Sequence, residues 1–356
     1  MKKIPTVPLP IMAEEPDYDR RTTLEFERGN FLTKIGPPLV PDVPGIFPRL
    51  PEGAPRNRLT LARWFFAPGQ PLTARTAVNR YWEQLFGTGI VETLENFGSV
   101  GEEPSDPELL DWLALHFQND LNWDMKALLR ELVTSATYRQ SAKANPTLIE
   151  RDPHNRLLAR GPQQRLTAEM VRDQALLASG LLSNKMGGPP VMPPQPEGVW
   201  NSVYNNSKWT DATGPDRYRR AIYTFIKRTS GYPSFLTFDA SDHDTSLARR
   251  IPTNTPLQAL VTLNDRVYYE AAEALAQRMI AGQQSVDAGI TYGARLVLSR
   301  DPTELELAQL RALFQKAAAM PSLQSVALTA HGNSRELAAM TAVASVLMNL
   351  DGSLTR

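Results

Sequence analysis

Apolar residues recur at the three- and four-residue spacing of helices over most of the chain beyond residue 58. One set predicts an amphipathic helix and consists of Met125, Leu128, Leu129, Leu132 and Val133. Another predicts a helix that ends near residue 182 and consists of Leu166, Met170, Leu177 and Leu181. Before the first set, the run Ser105-Asp106-Pro107-Glu108 predicts a capping box, because its Ser and Glu can satisfy free backbone amides reciprocally.

The same spacing predicts one long helix from Thr255 to about residue 281. Its apolar stripe comprises Leu257, Leu260, Val261, Val267 or Tyr268, Ala271 and Leu275. Two further helices are expected near residues 303–318 and 334–349, and little supports a large sheet. The sequence therefore predicts a mainly α fold, an irregular multi-helix domain with long Pro-rich ordered loops and at most a small β element.

The 29 prolines and the periodic segments divide the chain into four parts. Residues 1–58 form a Pro-rich N-terminal arm, and residues 59–182 form a helical first part. Residues 183–254 form a long loop region with an Arg-rich element, and residues 255–356 form a C-terminal helical part. The arm is expected to dock on the body, because a solvated linker has no reason to carry Phe26, Phe31, Leu32, Ile46 and Phe47. A floppy linker is the alternative.

Composition narrows the classes of function. In 356 residues, 38 Lys and Arg balance 38 Asp and Glu, so the usual positive charge of a nucleic-acid binder is missing. With no Cys, the chain cannot hold a disulfide, a thiolate metal site or covalently attached haem. No apolar run approaches the roughly 20 residues of a membrane span, and Pro5, Pro8 and Pro10 interrupt the start where an export signal would be hydrophobic. We expect no nucleic acid, no membrane span and no signal peptide in this chain.

Familiar catalytic and nucleotide-binding motifs are missing, and two polar constellations remain. The run Phe238-Asp239-Ala240-Ser241-Asp242-His243-Asp244 could bind a divalent cation or be an exposed acidic loop whose Asp residues cap amides. We expect no metal. The second constellation is cationic and comprises Arg217, Arg219, Arg220, Lys227, Arg228, Arg249 and Arg250. These side chains either bind a carboxylate, sulfate or phosphate ligand or pair with the chain's own Asp239, Asp173 and Glu169.

A third set lies in the loop after residue 183. Trp200, Tyr204 and Trp209 stand beside Asn201, Asn205 and Asn206, a combination typical of sugar-stacking surfaces. A loop anchored by its own aromatic side chains is equally plausible.

Several runs in fixed order resemble one known family. They include Val78-Asn79-Arg80-Tyr81-Trp82, Leu85-Phe86-Gly87-Thr88-Gly89-Ile90-Val91, Arg165-Leu166-Thr167-Ala168-Glu169-Met170-Val171-Arg172-Asp173, Tyr218-Arg219-Arg220-Ala221-Ile222-Tyr223 and Arg249-Arg250-Ile251-Pro252-Thr253-Asn254-Thr255-Pro256-Leu257-Gln258. The chain resembles the PSD domain, a domain of unknown function (family number 1553) of exported proteins from Planctomycetes and Verrucomicrobia. The pattern is matched at Arg172, Asp173, Arg219, Arg220, Asp239, Arg249 and Arg250.

The resemblance implies a context rather than an activity. In the family this domain usually follows a c-type cytochrome domain and a second domain of unknown function, so a periplasmic or cell-envelope location is implied. Haem c is expected only in those upstream domains, and no cofactor is expected in this chain. The upstream domains are the implied partners.

Two functions follow as hypotheses. The first is an accessory interaction module that binds an anionic ligand through an Arg/Asp cluster. Its ligand-binding candidates are Arg172, Arg219, Arg220, Arg249, Arg250, Trp200 and Trp209. The second is an enzyme acting on acidic or sulfated glycans, in which Asp239 is the acid or base, the arginines hold the anionic group and a tryptophan stacks on the sugar.

Overall fold

The computed structural model describes residues 9–16, 18–200, 208–320 and 334–355. Within these ranges the chain is mainly helical with one two-stranded antiparallel sheet, so the predicted fold class is confirmed. The strands are β1 (Thr23–Glu27) and β2 (Asn30–Leu39). The helices are α1 (Arg58–Phe65), α2 (Leu72–Phe86), α3 (Pro107–Leu115), α4 (Met125–Thr134), α5 (Pro146–Arg151), α6 (Ala168–Ser179), α7 (Pro233–Thr237), α8 (Pro256–Asn264), α9 (Arg266–Ile280), α10 (Val286–Leu298), α11 (Glu304–Ala319), α12 (Ser334–Asn349) and α13 (Asp351–Leu354).

The described residues form two compact units. The first contains the residues up to Tyr81 together with Asp106–Leu129, and the second contains Trp82–Ser105 and the residues from Arg130 onwards. The four-part division of the sequence stays a prediction.

The first unit is organised around Trp64 of α1. This side chain is buried, its indole Nε1 donates to the carbonyl of Pro48 at 2.7 Å, and the ring of Phe47 meets it edge-on at 6.1 Å. The hairpin of β1 and β2 leaves Phe26, Phe31 and Leu32 exposed. Within this unit, therefore, Phe47 of the arm packs against a helix while the hairpin's apolar side chains remain open to solvent.

The core of the second unit is built on α9. Ala271, Leu275 and Met279 are fully buried there among side chains of α6, α10 and α12. The prediction of one helix from Thr255 to residue 281 is wrong, because the backbone turns to an extended conformation at Asp265. The Asp265 carboxylate accepts the Val267 amide at 2.8 Å and thereby starts α9 as a separate helix.

The predicted cap of α3 is also shifted by one residue. The cap is Asp106, whose carboxylate accepts the Leu109 amide at 2.9 Å, and not Ser105. Asp and Ser are about equally good caps, so the pattern alone did not separate neighbouring candidates. Among the described helices none has the length and apolar content needed to cross a membrane.

Two glycines of α10 allow that helix to approach α9 closely. A Cβ on Gly289 would lie 2.5 Å from the carbonyl oxygen of Met279, and one on Gly293 would lie 2.7 Å from the Met279 sulfur. The first contact is with backbone, which cannot rotate away.

Gly289→Ala is therefore expected to destabilise the protein by about 1–3 kcal/mol, because the overpacked helices must separate. The measurement is the midpoint of urea unfolding of the full chain. Gly352→Ala is the matched control, since its Cβ would lie 3.7 Å from the nearest atom, an ordinary contact with the Leu298 side chain. Equal midpoints for the two variants would contradict this packing.

Candidate functional site

An open groove lies within the second unit and has a volume of about 1330 Å³. Its walls come from the turn after α2, residues 153–167, the start of α6, and residues 238–252. The turn begins at Gly87, which has a φ of +87° and ends α2. The groove exceeds the roughly 300–1,000 Å³ of typical small-ligand pockets. Its size is suited to a segment of a polymer.

One wall is a loop whose ends are tied together by Asp239. The Asp239 carboxylate accepts the backbone amide of Thr253 at 2.7 Å and its hydroxyl at 2.8 Å. Asp239 itself has a φ of +60°, a left-handed conformation that is uncommon outside glycine. The predicted catalytic candidate thus lines the groove, and both of its carboxylate oxygens hold the loop closed.

Behind this loop lies the buried side chain of Gln258 in α8. Its amide oxygen accepts from Nε and Nη2 of Arg165 at 3.2 and 3.0 Å. Its amide nitrogen donates to the carbonyl of Thr237 at 3.1 Å and lies 3.4 Å from Oδ2 of Asp239. Gln258 therefore connects a groove arginine, the end of α7 and the closed loop.

The opposite wall depends on a close approach of two backbones. A Cβ at Gly161 would lie 2.5 Å from the carbonyl oxygen of Gln140, so only glycine fits there. The neighbouring Arg160 donates to the carbonyl oxygens of Asp152 at 2.9 Å and Pro153 at 2.8 Å. This guanidinium is held in place by neutral acceptors.

Two predicted arginines line the groove, and both face acidic side chains. Arg250 binds Glu169 through two parallel hydrogen bonds of 2.7 and 3.0 Å. Arg249 lies 3.5 Å from Glu95 and 3.9 Å from Glu92. Burial is the largest influence and raises the pKa of Glu169, but the hydrogen bonds and charge of Arg250, with hydrogen bonds from backbone and Thr167, together outweigh it, so that its pKa lies below the ordinary value.

A third cation in the groove has no such partner. Arg228 is exposed and makes no hydrogen bond or ion pair with any of the described residues. Asp244 and the rings of His154 and His243 line the same groove. The guanidinium of Arg228 can therefore donate hydrogen bonds to a ligand, on a polar surface that carries both acidic and basic side chains.

The remaining predicted arginines do not line this groove. Arg220 pairs with Asp173 at 3.2 Å. Arg172 is fully buried and donates to the carbonyl of Arg217 at 3.0 Å. Arg219 is equally buried: it donates to the carbonyls of Lys185, Gly187 and Pro189, and its guanidinium lies 3.6 Å from the centre of the Tyr223 ring. The structure therefore does not bring the five predicted arginines and Asp239 into one site.

The two predicted tryptophans belong to an aromatic cluster. Trp200 and Trp209 meet edge-on at 5.3 Å, Trp209 stacks on Tyr232 at 5.8 Å, and Phe225 lies beside both tryptophans. Trp200 is buried, and the indole of Trp209 donates to the carbonyl of Pro193 at 2.8 Å. Tyr204, Asn201, Asn205 and Asn206 lie outside the described residues. The described contacts are those of a loop anchored by its aromatic side chains.

Sequence reasoning missed three groove residues, His154, Arg160 and Arg165. Arg165 is the first residue of one of the runs that carry the family resemblance, and that run could have identified it as a candidate. Nothing in the spacing pointed to Arg160. In the part of the chain that the structure describes, no three His, Asp or Glu side chains are grouped as metal ligands.

Comparison with protein-family models gives one match, to PSD1, a protein family of unknown function (DUF1553), over residues 57–314. The chain belongs to this family. No curated protein and no solved structure matches it. The match includes every wall of the groove, so the groove is a feature of the PSD1 part of the chain.

Gln258→Met is expected to destabilise this PSD1 domain by about 1–3 kcal/mol, because the half-buried Arg165 guanidinium and the Thr237 carbonyl lose their partner. The measurement is the urea unfolding midpoint of the full chain. Leu257→Met, at the adjacent exposed position, is the control and is expected to leave the midpoint unchanged. A midpoint for Gln258→Met equal to that of the control would contradict the role of the amide.

The Glu169–Arg250 pair predicts a pH dependence. Because the folded-state pKa of Glu169 lies below its ordinary 4.5, the pair stabilises the fold above that pH and loses its effect as the pH falls through the folded pKa. Glu169→Gln should therefore lower the thermal midpoint at pH 7, and the difference from wild type should shrink below about pH 4.5. Glu304→Gln, which removes an exposed carboxylate, is the control. A difference of constant size across this pH range would refute the assignment.

Proposed function

We propose that this PSD1 chain is an accessory interaction module that binds an acidic polymer segment in the groove lined by Arg228, Arg249 and Arg250. The observation that carries the proposal is the guanidinium of Arg228, which has no partner among the described residues, in a groove of polymer size. A guanidinium offers paired donors that match a carboxylate or sulfate, and its exposure leaves them available.

The other groove arginines support this assignment through their positions. Among the described residues, Arg160 donates to carbonyl oxygens and no carboxylate neutralises it directly. Arg165 donates to the neutral oxygen of Gln258 and also pairs with the exposed Asp351 at 3.3 Å. Because neutral acceptors orient Arg160, its positive charge still acts on a ligand in the groove.

The wider setting of the module is also part of the proposal. By family resemblance it works in a cell-envelope protein whose upstream domains carry haem c, and those domains are its partners. In that protein, this chain binds the acidic polymer segment.

The glycan-processing enzyme is the weaker candidate. A general acid or base must reach the substrate proton, and both oxygens of Asp239 are engaged with Thr253. Trp200, expected to stack on the sugar, is buried against other rings.

Binding of two fluorescent acidic polymers, an oligoglutamate and an oligogalacturonate, tests the proposal by anisotropy at low salt. At least one should bind, and Arg228→Gln should weaken it about tenfold, the loss expected for one charge-assisted hydrogen bond. Arg295→Gln is the control, because Arg295 is exposed and pairs with Asp301 outside the groove. Failure of both polymers to bind, or equal binding by the two variants, would refute the proposal.

A further inference from the structure

Helix α8 is turned with its apolar side chains outward. It buries Gln258 and Thr262, whereas Leu257 and Leu260 are 63% and 55% exposed. This orientation is held by polar contacts. Gln258 binds Arg165 and the Thr237 carbonyl, and the Thr262 hydroxyl donates to Oδ1 of Asn349 at 2.6 Å. Rotating the leucines inward would break all of these bonds, so the apolar face stays exposed.

Exposed apolar residues also line the groove, in the segment that precedes this helix. Leu247 and Ile251 line the groove and are themselves exposed, and Leu263 is exposed at the end of α8. An occupant of this surface therefore needs apolar side chains for the helix and carboxylates for Arg228 and its neighbours.

One segment of the same chain has this composition. Residues 9–16 form no helix or strand and expose Leu9, Ile11 and Met12 at 76–87%. Glu14 and Glu15 follow directly. Exposed contacts join this segment to Arg58. Glu14 accepts the backbone amide of Arg58 at 3.2 Å and lies 3.8 Å from its guanidinium, which donates to the carbonyl of Ala13 at 3.2 Å. Docking of Glu14 on another molecule exchanges these contacts, of which the exposed ion pair contributes little stability.

The length of this segment can be compared with the length of α8. Eight extended residues reach about 26 Å, whereas the nine residues of α8 extend over about 14 Å. The segment is therefore long enough to extend beyond α8, and α8 adjoins the groove, because its Gln258 lies 3.4 Å from the groove residue Asp239.

We infer that the chain self-associates, with residues 9–16 of one copy docked on α8 and in the arginine-lined groove of a second copy. This inference rests on the proposed function, since it identifies the acidic polymer as a polypeptide segment of the chain itself. Because the two contacting surfaces differ, the contact is head-to-tail and builds rings or open chains of molecules.

Sedimentation velocity of the full chain over a range of concentrations tests the inference. Wild type should form dimers and larger species, and raising the salt from about 50 mM to about 500 mM should weaken association, because the contact is partly ionic. Leu257→Ser/Leu260→Ser, Glu14→Lys/Glu15→Lys and Arg228→Glu should each weaken self-association at least tenfold. Ile222→Ser, which removes an apolar side chain that is 74% exposed elsewhere, is the control and should associate like wild type.

Mixing two of these variants gives a sharper test that does not depend on their stability. The Glu14→Lys/Glu15→Lys copy keeps a normal groove, and the Arg228→Glu copy keeps a normal segment, so the mixture should form dimers that neither variant forms alone. A monomeric wild type, or association unaffected by the segment or the helix substitutions, would overturn the inference. If acidic polymers still bind in an Arg228-dependent way while the chain stays monomeric, the proposed function stands and only self-association is refuted.

Discussion

The hydrogen bonds of one buried amide join the groove to the helix beside it. Gln258 holds Arg165 through its oxygen and the end of α7 through its nitrogen, and the closed loop of Asp239 and Thr253 lies against it. An unpaired amide at this depth is unfavourable, so these partners must stay in place together. The same requirement turns the polar side of α8 inward and leaves its leucines outside.

The arginines fall into groups that differ in burial and in the partners they bind. Arg172 and Arg219 are deeply buried, and their guanidinium groups donate to backbone carbonyls, as a buried polar group requires. Arg220 and Arg250 pair with Asp173 and Glu169, two of the acids that the sequence suggested as internal partners. Among the described residues, what remains for a ligand is Arg228, together with Arg160, which carbonyl oxygens orient.

Much of the local structure was predictable because its causes are local. The mainly helical character follows from apolar periodicity, and α11 begins at a Thr–Glu capping box. The predictions that proved wrong have a common origin in contacts between residues that spacing does not reveal. Leu257 and Leu260 fit the stripe of a buried helix, yet Gln258 and Thr262 occupy the inside because they find partners there that no spacing rule reveals. Likewise, Asp265 turned one expected helix into two through a single capping bond.

By itself the sequence determined the family, the helical class and the residue types available for binding, since each follows from the order of residues along the chain. Only the tertiary structure decided which of these residues share a surface. Arg228, Arg249 and Arg250 meet His154 and Arg160 in one groove, whereas Arg172 and Arg219 face carbonyls elsewhere. The physical reason is that a charged side chain binds a partner close to it in space. The tertiary fold, which brings together residues far apart in the sequence, determines which partner is close.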